Sequence, residues 1–384
     1  MTEAGLDLVE AHSWFLRRGL PTVLRPGVLA RHLWQRSAPA VAVLAVFQAN
    51  SMAVVALTHK HTITIDGQPS RNEWFILVLL VLVLPVAATV GWRVSRIATL
   101  RGRTVAAVVS LLVCVVGSIL GGLSPYIVPN LLVTAAVLAV ILALTATGIG
   151  SILGLALSAM MHNLAQIGGL LARALPVILL TVLVFFNTYV WLMAAYVPRP
   201  RMWLALGFLG TIAVAFITTA TVERVRPILL SPARPPKVDG ALLGTPFHGL
   251  PAPEQRVHLS RLERINVVFV LVMSQVLQVL AVSVVTVVVF GVLGLILLTP
   301  KLLSEWTRNG AADGVILGMT LPIPQALIQT SMFLGALTFM YIAARAAGDS
   351  DYRTQFLDPL IDDLTLTLDA RDRYRLRTRP PKDR

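Results

Sequence analysis

The chain has 384 residues, of which 56% are hydrophobic and only 13% charged, and its mean hydropathy is +0.77. A soluble domain carries about 25% charged residues, so the surface needed to keep a chain of this length in water is missing and its solvent is lipid. A net charge of +13 would suit a nucleic-acid partner, but the basic residues lie in connections between apolar runs, where membrane topology accounts for them and no nucleic acid is expected.

In chain order, residues 1–36 mix Trp14, Phe15, Leu16 and Leu20 with five arginines, the composition of a cytoplasmic amphipathic segment that lies on a membrane surface. They hold no continuous apolar stretch of signal-peptide type, so the first span is expected to be its own insertion signal. A helix needs about 20 mainly apolar residues to cross about 30 Å of hydrocarbon. Eight runs meet this: Ser37–Thr58, Trp74–Trp92, Thr104–Leu123, Ile127–Thr147, Ala174–Val197, Met202–Val222, Val267–Leu298 and Gln325–Ala347. The predicted fold is an all-α integral membrane protein, a polytopic bundle of these spans over 37–347 with one or two amphipathic interfacial helices.

Between the spans, 59–73 reads as a short hairpin (Thr-Ile-Thr-Ile, then Asp-Gly), and Pro85 predicts a kink in the second span. In 148–171, Ser151, Ser158, His162, Gln166 and Arg173 share one helical face. That pattern predicts a helix along the cytoplasmic interface or packed under the bundle. The apolar run 262–298 is too long for one crossing and is expected to project, bend or form a hairpin; together these two segments leave ten crossings as the alternative count. The loop 223–264, rich in Pro and Gly from Arg224 to Pro253, is expected to lack regular structure, and 348–384 reads as a solvated, charged cytoplasmic tail.

Alternating spans place 26 of the 32 basic residues on one side. The remaining six, Lys60, Arg71, Arg199, Arg201, Lys301 and Arg308, fall on the other. Since basic loops stay inside, both termini are expected in the cytoplasm and the protein in the plasma membrane.

Candidate chemistry is sparse. No Asp, Glu, Lys or Arg lies well inside a span, which argues against proton or sodium coupling and voltage sensing. Neutral polar groups do recur: Gln48 and Asn50 in the first span, Asn187 in the fifth, Gln275 and Gln278 in the seventh, Gln329 in the eighth. They read either as a polar cavity or as interhelical hydrogen bonds, since an amide in lipid must find a partner whatever the function. Gly117 and Gly121 form a G-x-x-x-G, the spacing of close helix packing. His59 and His61 lack a third ligand nearby, and the single cysteine, Cys114, lies in an apolar run, so neither a metal site nor a disulfide is expected. The sequence holds no metalloprotease, nucleophile-elbow, phosphate-loop or dinucleotide signature, so no catalytic residue or cofactor is expected.

Several phrases resemble a family of actinobacterial integral membrane proteins with no assigned activity: 13–21 (Ser-Trp-Phe-Leu-Arg-Arg-Gly-Leu-Pro), 173–180, 185–191, Glu263–Asn266, Ser274–Gln278 and 351–359. The excess of 28 Arg over 4 Lys fits the same high-GC source. The resemblance implies a helical membrane bundle in the plasma membrane and assigns no residue a role. The leading expectation is a non-catalytic accessory or scaffold protein of the envelope, whose partners are the bilayer and other envelope proteins. The alternatives are a transporter or channel for a small neutral or amphipathic solute, and an outer-face enzyme on a lipid-linked substrate that would need Asp66 or Glu73.

Overall fold

The computed structural model describes residues 8–24, 32–58, 70–122, 124–162, 182–230, 242–251, 258–308, 313–316, 319–348 and 358–378. Among them run α1 (Leu8–Arg17), a 3-10 turn (Pro21–Val23), α2 (Leu33–Thr58), α3 (Arg71–Ser95), α4 (Leu100–Leu120), α5 (Ile127–Ala146) and α6 (Ile149–His162). After these come α7 (Thr188–Tyr196), α8 (Arg199–Leu230), α9 (Arg261–Leu297), α10 (Pro300–Trp306), the hairpin β1 (Asp313–Ile316) and β2 (Met319–Pro324), α11 (Gln325–Gly348) and α12 (Asp358–Thr378). Seven helices, α2 to α5, α8, α9 and α11, are long and apolar enough to cross a bilayer. The protein is an all-α polytopic membrane bundle.

The helices begin where the sequence supplies caps for their unpaired N–H groups. Thr99 accepts from Gly102 N at the start of α4, and Thr299 with Pro300 opens α10. Ser260 and Glu263 form a reciprocal capping box at α9. α3 continues through Pro85.

Two sub-bundles result. α2 packs against α3, α4 and α5, while α11 packs against α7, α8 and α9. A few contacts fix which ends meet. Gln35 donates to Thr104 (3.1 Å) and Arg36 to the Thr145 carbonyl (3.3 Å), so the starts of α2 and α4 share an end with the finish of α5. Asn266 donates to the Gly19 carbonyl (3.1 Å), and Gly148, at φ +78°, is pressed against Pro21, which brings the start of α9 to that same end. At the far end, Arg199 donates to Gln325 (2.7 Å), joining the starts of α8 and α11. The arginines of the α3–α4 turn therefore share an end with Arg36, Arg264 and the finish of α11. Among the described residues, the basic ones at the opposite end are Arg71, at the start of α3, with Arg199, Arg201, Lys301 and Arg308.

The structure departs from the sequence reading at the fifth span, the 223–264 loop and the tail. The predicted fifth span falls partly outside the described residues, and its described remainder breaks at Phe186–Asn187 before the nine-residue α7. At 1.5 Å per residue α7 is about 13 Å long, too short to cross alone. Because Gly148 lies against Pro21 while Phe185 packs on Phe290 near the finish of α9 (5.3 Å between ring centroids), the chain changes ends once more between them. α6 packs along α9 and against α1, so it is held by protein contacts; the side chains that formed its predicted polar stripe beyond Ser151 lie outside the described ones.

The long apolar run is one uninterrupted helix of 37 residues, about 55 Å, which rules out a hairpin. The loop expected from 223 is helical to Leu230, and 242–250 forms turns that bury Leu242 and Phe247. The expected solvated tail is folded over 358–378: Ile361, Leu364 and Leu368 recur at helical spacing and are buried. With α1, the 242–250 turns and the ends of α8 and α9 they close a cap over one end of the bundle. The hairpin expected at 59–73, with His59 and His61, lies outside the described residues over 59–69; the observed hairpin is at the far end, where Pro322 and Pro324 interrupt helix formation.

Candidate functional site

The six amides do not meet. Gln48 donates to Thr134 (2.8 Å), which shares a hydrogen bond with Ser118 (2.7 Å), all between α2, α4 and α5. Gly117 and Gly121 sit beside this contact. A Cβ on Gly117 would stand 2.8 Å from Gln48, and one on Gly121 would overlap the Met52 backbone, so the G-x-x-x-G packs α4 onto α2 inside one chain. Asn50 is half-buried on α2. Asn187 caps α7, accepting from Tyr189 N at 3.0 Å.

In the second sub-bundle Gln275 donates to Thr221 (2.9 Å) across α8 and α9. Gln278 is buried one turn further along α9, with no hydrogen-bond partner among the described residues. Gln329 lies elsewhere. α9 and α11 run antiparallel, with Gly294 against Leu327 and Gly335 against Val287. That register puts Gln329 about 22 Å along the helix axis from Gln278. Gln329 Oε1, Thr330 and Ser331 are buried there without partners among the described residues. The amides are thus dispersed: Gln48 and Gln275 bond across different helix pairs, Asn187 caps α7, and Gln329 is buried far from Gln278.

The charged groups show the opposite behaviour. Glu263, 1% exposed, stands in the first turn of α9, and Arg371, also 1% exposed, reaches it from α12. Arg371 Nε donates to Oε1 (3.0 Å) and Nη2 to Oε2 (2.8 Å), a two-pronged match of planar groups. Arg375 Nη2 adds a third bond to Oε1 (2.8 Å), and the Ser260 N–H donates to Oε2 (2.8 Å). Arg371 also donates to Asp372 (2.5 Å) and to the His258 carbonyl (3.1 Å). Burial works against the Arg371 charge, but the bonds and charge of Glu263 and then Asp372 outweigh it and hold the guanidinium above its ordinary pKa.

A second pair ties the turns in. Arg373 donates to Asp369 (2.9 Å) one helical turn away and to the Leu250 carbonyl (2.8 Å). Around these ions lies an aromatic cluster: Phe15 stands 5.1 Å from Phe247 and 5.4 Å from Tyr374 between ring centroids. His12 shares a hydrogen bond with the Tyr374 hydroxyl (3.0 Å).

Both oxygens of Glu263 accept two bonds each, so this carboxylate is saturated and unfit as a general base. The arrangement fastens the tail helix to the bundle. Among the described residues no cluster of three or more His, Cys, Asp or Glu is placed to hold a metal. No protein-family model, curated protein or solved structure matches the chain.

The sequence reasoning did not find Glu263, Arg371 or Arg375. Two signals were present: the S-x-x-E box at Ser260, and Asp369 four residues before Arg373 inside an Ile361–Leu364–Leu368 stripe.

Proposed function

We propose that the protein is a non-catalytic accessory or scaffold protein of the plasma membrane, with its basic end and cap in the cytoplasm. The supporting observation is the contrast between the dispersed amides and the cap. Gln48, Asn187, Gln275 and Gln329 are spread over different parts of the bundle, which favours a joining role for these amides over a single solute path. The charged residues of the tail are used to build a folded surface outside the lipid. A cap locked onto the longest helix presents a fixed platform to other envelope proteins. The cytoplasmic placement follows from the basic residues gathered at that end. The resemblance to actinobacterial membrane proteins belongs to the same proposal.

The test is gentle extraction from native membranes after cross-linking. A specific partner should accompany the protein, and Arg371→Ala, which unfastens the tail, should release it, while Gln275→Leu should not. A lone monodisperse protein, or a partner retained equally by all three forms, would count against the scaffold role.

A further inference from the structure

Beside the cap, the outer faces of α8 and α9 leave a groove of about 630 Å³. Val214, Thr218 and Val222 line one wall at four-residue intervals, and Val268, Val272 and Val276 line the other, so each helix offers a single apolar stripe. The Thr218 hydroxyl is turned onto the Val214 carbonyl (2.7 Å), which keeps that wall free of an open polar group. Arg226 and Arg264 also line the groove, both at its cap end. Along the helices, about 18 Å separates Arg226 from Val214 and Arg264 from Val276. That is close to the hydrocarbon depth of one leaflet, about 15 Å.

The two arginines are not neutralised within the described structure. Arg264 Nε donates to the Leu259 carbonyl (3.2 Å), and neither residue is ion-paired among the described residues. The nearby carboxylate of Glu263 is taken by Arg371 and Arg375. Guanidinium groups match phosphate oxygens by paired, charge-assisted bonds, and basic pockets between membrane helices select anionic head groups.

We propose that this groove binds one anionic phospholipid of the leaflet on the basic end, with an acyl chain along the valine stripes and the phosphate between Arg226 and Arg264. An apolar channel one leaflet deep with cations only at its mouth matches the order of groups in such a lipid. It fits neither a free anion, which has no use for the channel, nor a second transmembrane helix, which would run past the arginines. The inference is independent of the scaffold role and requires only that the bundle spans lipid.

The test uses the full-length protein in neutral detergent, titrated with phosphatidylglycerol or phosphatidylcholine and read by native mass spectrometry. One phosphatidylglycerol per chain should be retained, at least tenfold more tightly than phosphatidylcholine. Arg226→Gln with Arg264→Gln should weaken it about 30-fold, from about 1 kcal/mol for each arginine. Thr218→Trp, which fills the channel and keeps both charges, should also abolish retention. The pair Arg93→Gln and Arg101→Gln, at the same end but off the groove, should change it less than twofold. The proposal is overturned by unchanged retention in either groove variant, by equal loss in the control pair, by displacement with inorganic phosphate alone, or by a lipid-free dimer occupying the groove.

Discussion

The bundle and the cap bury polar groups under different rules. Inside the bundle the buried groups are neutral, and where they are paired they use one or two hydrogen bonds, as Gln48 does with Thr134 and Gln275 with Thr221. In the cap, full charges are buried to about 1% exposure and bonded on every side, as Glu263 is. The difference follows from the surroundings. In hydrocarbon an ion has no carbonyls, turns or water to complete its shell, so close packing over glycine does the joining. At the membrane edge the His258 and Leu250 carbonyls and a helix N-terminus are within reach, and ions can be surrounded. The lesson is that the cap's hold on the bundle is concentrated in a few residues, whereas the bundle's cohesion is spread over many.

Substitutions should separate the two regions by the size of their effects. The largest effect is expected from Glu263→Gln, which leaves Arg371 buried beside a neutral group. Removing one partner of a buried pair costs about 3–5 kcal/mol, so α12 should detach and trypsin should cut at Arg371–Arg377 under conditions where the wild type is resistant. Wild-type resistance in the variant would show that apolar packing alone holds the cap. Gly121→Ala comes next. Its methyl group meets the Met52 backbone, overpacking of the kind that costs about 1–3 kcal/mol; the detergent melting temperature should fall, with the tail still protected. Gln48→Leu removes one interhelical hydrogen bond and should cost about 0.6 kcal/mol. The smallest effect is expected at Asp363→Asn. The Arg18–Asp363 pair is 27% and 49% exposed, and such pairs contribute about 0.2–1 kcal/mol, so protease resistance should be unchanged. A large loss there would mean that the cap's strength does not lie at Glu263.

Much of the bundle was legible from composition, because runs such as Ile127–Thr147 have no partner but lipid in any fold. The interior of 262–298 was legible as apolar, but projection, a bend and a hairpin were all open to it, and sequence alone did not choose the single helix that runs into the cap. That depends on Asn266 and Glu263 finding partners at Gly19 and Arg371, roughly 250 and 110 residues away in the chain. The tail was misread for a related reason. Counted by charge, Asp369 to Arg375 looks solvated, and only the fold brings each ion to its counter-ion. Asn187 looked like a cavity residue since span-length counting ignores capping; its amide instead starts a new helix by accepting from Tyr189. The groove of α8 and α9 was invisible in either sequence segment alone, since its valines read as ordinary lipid-facing positions until the two stripes lie side by side.

The proposed orientation puts the cap and the basic end together in the cytoplasm. With Cys114 changed to Ser, single cysteines at Leu243 in the cap and Lys301 at the opposite end can be probed with a membrane-impermeant maleimide on intact cells. Leu243→Cys should stay unlabelled until the membrane is permeabilised, while Lys301→Cys should label at once. Labelling of Leu243→Cys on intact cells would reverse the orientation and contradict the account.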